Sequence, residues 1–94
     1  MNNEKIHNAV NINDKQFAPF LLAASFQGLV YFIESNRQNG ILYWKFSPKD
    51  EAEELINQFR TKTEPHIPAK DLFEAIDTWW KEVAEMKGKK QYAI

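Results

Sequence analysis

The dipeptide Asn39-Gly40, set between two runs of β-branched and aromatic residues, constrains this chain more than any other feature. A type I′ hairpin turn needs positive φ at both central positions, which Asn tolerates and Gly adopts freely. With that pair at the tip, residues 29–35 and 41–46 become antiparallel strands. Glu34 then faces Lys45, and Asn36 faces Tyr43. The opposite face gathers Leu29, Tyr31, Ile33, Leu42, Trp44 and Phe46. One register supplies both a charge pair and an apolar face, and a slip of one residue would destroy both.

An isolated hairpin is marginal in water, so the apolar face has to be covered by the rest of the chain. With 94 residues there is room for a single core. A helix is expected over residues 14–27, with Asp14 as N-cap and Gly28 as the residue that follows it. Phe17, Phe20, Leu21 and Ala24 share a stripe, while Leu22 and Phe26 lie off it, so this helix is either sandwiched or touches a partner. Pro19 predicts an irregular start or a kink near Ala18.

Ser47-Pro48 reads as an N-cap and a first-turn proline. Asp50, Glu51, Glu53 and Glu54 complement the dipole of the helix that follows, and Ala52, Leu55, Ile56 and Phe59 make one narrow stripe up to Arg60. Pro65 and Pro68 hold residues 61–68 as a loop. A last helix is expected over residues 69–87, buried through Leu72, Phe73, Ile76, Trp79, Trp80 and Val83 and ended by Gly88. Residues 1–13 form a polar arm or a short strand, in which Ile6, Val10 and Ile12 share one parity. Residues 14–90 form the domain and 91–94 a tail. The expected fold is a two-layer α+β domain in the order helix, β-hairpin, helix, helix.

Several function classes are unsupported. Twelve basic residues against thirteen acidic ones leave a net charge of −1, which argues against an indiscriminate nucleic-acid binder but leaves a local basic patch open. Without cysteine there is no disulfide framework and no thiolate metal site. The longest apolar run, residues 17–26, is too short to span a bilayer, and no apolar secretory segment opens the chain, so a cytoplasmic protein is expected. His7 and His66 have no companion at metal-ligand spacing. The four carboxylates after Pro48 are explained by the helix dipole. No nucleophile elbow, P-loop or dinucleotide fingerprint occurs, and each of the three glycines already serves a turn or a cap. The expectation is a protein that is not an enzyme and uses no cofactor or metal.

Asp14, Ala18, Phe20 and Leu21 open a helix that ends in glycine. The aromatic strand Tyr43-Trp44-Lys45-Phe46 and two helices come later. This arrangement resembles a family of short domains of unknown function carried by phages, plasmids and other mobile elements, over residues 14–87. Pro19 and the longer run from Leu21 to Gly28 depart from that pattern. The resemblance implies a setting, a small accessory protein of a mobile element, and transfers no functional residue.

Two candidate surfaces follow. Neighbouring helical residues differ by about 100° in direction, so Trp79 and Trp80 are both buried only on a wide face. Otherwise an exposed ring of the pair, with Leu22 and Phe26 of the first helix, offers a patch for a protein partner or a second copy of the chain. The alternative is nucleic acid, met by Arg37, Tyr43 and Lys45 on the hairpin's outer face and by Lys87, Lys89 and Lys90 at the C-terminus.

Overall fold

A computed structural model describes residues 8–88. The elements are β1 (Val10–Ile12), α1 (Phe17–Phe26), β2 (Tyr31–Gln38), β3 (Ile41–Ser47), α2 (Lys49–Arg60) and α3 (Ala69–Gly88). The three strands form one antiparallel sheet in the order β1-β3-β2, and the protein is an α+β domain. Residues 10–12 are therefore a strand, paired with residues 44–46 of β3. Ile6 lies outside the described residues. No helix among those described is long and apolar enough to cross a membrane.

The hairpin forms as its turn chemistry demands. Asn39 has φ 54° and Gly40 φ 78°, and the register sets Glu34 against Lys45 and Asn36 against Tyr43. Lys45 Nζ lies 3.4 Å from the Glu34 carboxylate. The expected inner face needs one correction. The register shifts between Phe32 and Glu34, so Ile33 is an extra residue that pairs with nothing on β3. A bulge of this kind reverses the alternation beyond it. As a result Val30 is buried, while Leu29 and Tyr31 are exposed. Phe32 now pairs with Phe46, and its ring packs edge-on against Trp44 and Phe46. Leu42, Trp44 and Phe46 are buried as expected.

Asp14 caps α1, its Oδ1 accepting from the backbone N–H groups of Gln16 and Phe17 at 2.7 and 2.9 Å. Ala18 N–H bonds Asp14 C=O and Phe20 N–H bonds Gln16 C=O, but Pro19 between them has no N–H to give, so the ladder is interrupted and regular helix begins only at Phe17. No kink follows. At the other end Leu29 N–H bonds Ala24 C=O and Gly28 N–H bonds Ser25 C=O, with Gly28 at φ 79°. These are the paired bonds of a Schellman stop. Every residue from Ala18 to Ala24 is buried, so α1 is sandwiched in the core and Leu22 with it.

Ser47 is the last residue of β3 rather than a helix cap: Pro48 occupies the cap position of α2, and no side chain caps that end. The Ser47-Pro48 peptide is cis. Ala52 and Leu55 of α2 are buried, and Ile56 and Phe59 pack against the same core. In α3 the buried line runs through Ala75 and Trp79, with Leu72, Val83 and Met86 partly covered. Phe73, Ile76 and Trp80, expected on the buried side, face outward. The physical reason is Ala75. A small side chain lets the broad, Ala-rich surface of α1 come close, and α3 packs more extensively on α1 than on any other helix. That centres the contact on residue 75 and turns 73, 76 and 80 away from it.

The far half of α3 is fastened to the hairpin by polar groups. Glu82 accepts from Trp44 Nε1 and, at 3.0 Å, from Ser35 Oγ. Arg37 reaches Glu85 at 3.4 Å, and near the start of α3 Gln27 donates to Asp71.

Candidate docking groove

Turning Phe73, Ile76 and Trp80 outward leaves three large apolar side chains 71%, 42% and 48% exposed on one flank of α3. They do not stand alone. Together with Pro19 and Phe20 of α1 and Phe59 of α2 they line an open groove of ≈ 550 Å³, with Lys15 and Gln16 at its lip. Phe20, Phe59 and Leu72 also border a second hollow of ≈ 700 Å³, completed by Lys62, Glu64, Pro65, His66 and Ile67 of the α2–α3 loop. The two hollows adjoin across Phe20, Phe59 and Leu72.

Packed aromatic rings build the groove's floor. The Phe20 and Phe59 rings meet edge-to-face at 4.8 Å, and Phe17 meets Phe59 at 5.8 Å. Such pairs are worth about 0.5–1.5 kcal/mol each beyond their burial. Arg60 lies over the Phe17 ring, 5.3 Å from its centroid. A preformed apolar cleft between helices is the usual setting for an inserted amphipathic segment.

The four residues expected to form the partner patch are divided by the fold. Trp79 is 4% exposed, its ring edge-on to Trp44 at 5.0 Å, and Leu22 is buried, so neither is on the surface. Trp80 lines the groove. Phe26 is exposed but sits at the opposite end of α1, outside the groove lining. Phe73, Ile76, Pro19, Phe20 and Phe59 were not among the expected site residues. The available signal was Ala75, one turn before Trp79, since a small residue at that spacing marks where a neighbouring helix approaches.

The residues expected to meet nucleic acid do not converge. Arg37 pairs across the ladder with buried Leu42, so it shares the sheet's inner side and reaches Glu85 of α3. Tyr43 and Lys45 pair with Asn36 and Glu34 on the outer side, where Lys45 is held by Glu34. Arg37 thus sits on the face opposite Tyr43 and Lys45, against the expectation of one shared surface, because each cation followed its register partner. The Lys87 side chain, Lys89 and Lys90 lie outside the described residues, as does His7.

His66 lies exposed in the α2–α3 loop, and among the described residues no group of histidine, aspartate and glutamate is arranged to hold a metal ion. Asp50, Glu51, Glu53 and Glu54 are exposed along α2. Comparison with protein-family models, curated proteins and solved structures returned no match for this chain.

Proposed function

We propose that this chain is a non-enzymatic interaction module that docks a segment of a protein partner in the groove between α1 and α3. The observation that carries the reading is the outward flank of α3, where Phe73, Ile76 and Trp80 are exposed beside a preformed apolar floor. Exposed aromatic anchors next to a cleft are costly in water and are the residue types that dominate binding energy. The resemblance over residues 14–87 supplies the setting, an accessory protein of a phage or other mobile element whose partner is a host or phage protein. The nucleic-acid alternative has less support, since its two described cations lie on opposite faces and each is engaged by a glutamate.

Capture from a nuclease-treated lysate tests the reading. The wild-type chain and the double variant Phe73→Ala, Trp80→Ala are compared after circular dichroism shows matched folding. A partner held by the wild type and lost by the variant supports the groove. Identical captured proteins from both would remove it, and a partner lost with nuclease treatment would point to bridging nucleic acid.

A further inference from the structure

Resting on that reading, we infer that the partner filling the groove is a second copy of this chain, whose α3 lies antiparallel against the α3 of the first. A helical segment that fills an apolar groove offers anchors at i, i+3 and i+7. The flank of α3 carries that set, since Phe73, Ile76 and Trp80 follow this spacing and are all exposed. The same three side chains also form one wall of the groove. A surface that holds both the groove and a segment to fill it is self-complementary, and a twofold axis closes such a contact as a dimer.

Charge chooses the direction of the pairing. α1 and α3 run antiparallel: Gln27, just past the end of α1, donates to Asp71 near the start of α3, while Lys15, ahead of α1, lines the groove with Trp80. Among the described residues Lys15 is the one charged side chain lining this groove. With the two α3 helices antiparallel, Phe73 of one copy packs on Trp80 of the other and the Ile76 side chains meet near the axis. Glu74, exposed beside Phe73, then comes to the Lys15 end of the other copy, and twofold symmetry makes this pairing twice. A parallel arrangement would bring Lys81 toward Lys15 instead, like charge against like. The area sets the strength. The exposed parts of the three anchors amount to roughly 300 Å² per copy. The pair therefore buries about 600 Å² through its anchors, below the ~1,200 Å² at which stable interfaces begin. The dimer is weak, with a Kd on the order of tens of micromolar.

Sedimentation equilibrium of the full chain, from micromolar to near-millimolar concentration, tests this. A monomer–dimer equilibrium is expected, and Phe73→Ala with Trp80→Ala is expected to abolish it while circular dichroism shows the fold retained. Lys15→Glu and Glu74→Lys, both at exposed positions, should each weaken the dimer roughly tenfold at low salt, because two exposed charge pairs turn repulsive. Combining the two reversals should restore the wild-type affinity, since each new charge then meets its opposite across the axis. A chain that stays monomeric throughout would overturn the second copy, while lysate capture decides the broader reading of the groove independently. Dimers that keep their strength without Phe73 and Trp80 would place the contact on another face and overturn the proposal. So would single reversals without effect, or a combined reversal that fails to restore association.

Discussion

Removal of the Glu82 carboxylate is the perturbation with the most specific consequence for this fold. Glu82 accepts from the indole N–H of Trp44, a ring only 1% exposed, and from the Ser35 hydroxyl. In Glu82→Ala the indole donor stays buried with no partner, a loss of about 1–3 kcal/mol. The Ser35 hydroxyl, less enclosed, adds roughly 0.5–1 kcal/mol. Removing a partly buried charge returns some desolvation energy, so the net cost falls near 2–3 kcal/mol. For a domain of this size that lowers Tm by roughly 10–20 °C. Glu82→Gln keeps one carbonyl acceptor and is expected to cost about half as much. Urea unfolding followed by far-UV circular dichroism measures all three chains. A cycle with Ser35→Ala then isolates the hydroxyl's share, and coupling between the two sites is expected because they share one carboxylate. If Glu82→Ala is as stable as the wild type, the fastening of α3 to the hairpin through Trp44 is wrong.

Other substitutions address separate elements. Trp79→Ala should cost about 3–5 kcal/mol, as for other buried aromatic truncations, and Trp80→Ala less than half of that because its ring is half in solvent; equal losses in thermal unfolding would contradict the orientation of α3. Gly40→Ala should cost about 1–2 kcal/mol through backbone torsion alone, since nothing lies within 4 Å of an added Cβ; equilibrium unfolding would refute this by showing no change. Asp14→Ala should destabilise by about 1 kcal/mol through loss of the α1 cap, whereas Asp14→Asn, which keeps an acceptor, should restore most of it by the same assay.

How far the fold could be read from the residues depended on whether the deciding signal was local. The Asn39-Gly40 turn, the Glu34–Lys45 register, the Gly28 stop and the Asp14 cap each rest on chemistry within a few residues or directly across a hairpin, and all are found in place. Ile33 defeated the alternation rule, because a bulge adds a residue without leaving a mark in the pattern of apolar side chains. Pro19 did mark an irregular start: the ladder that opens with Ala18 on Asp14 skips residue 19, and regular helix begins at Phe17 rather than directly after the Asp14 cap. The α3 face was misjudged because the helix carries more large apolar residues than one contact can cover. Which of them lose to Ala75 is settled by how closely α1 approaches, a tertiary fact. The candidate groove inherits that difficulty: Trp80 was legible as one of an adjacent pair, but Phe20 and Phe59 join it only once three helices meet.

Everything proposed for the groove requires that α3 turn Trp80 to solvent while Trp44 and Trp79 are enclosed. Acrylamide quenching of tryptophan emission separates these three rings, the only tryptophans of the chain. The wild type should show one readily quenched population, which Trp80→Phe abolishes and Trp79→Phe leaves intact. Quenching that survives Trp80→Phe and vanishes in Trp79→Phe would place the opposite face of α3 outside and remove the groove altogether.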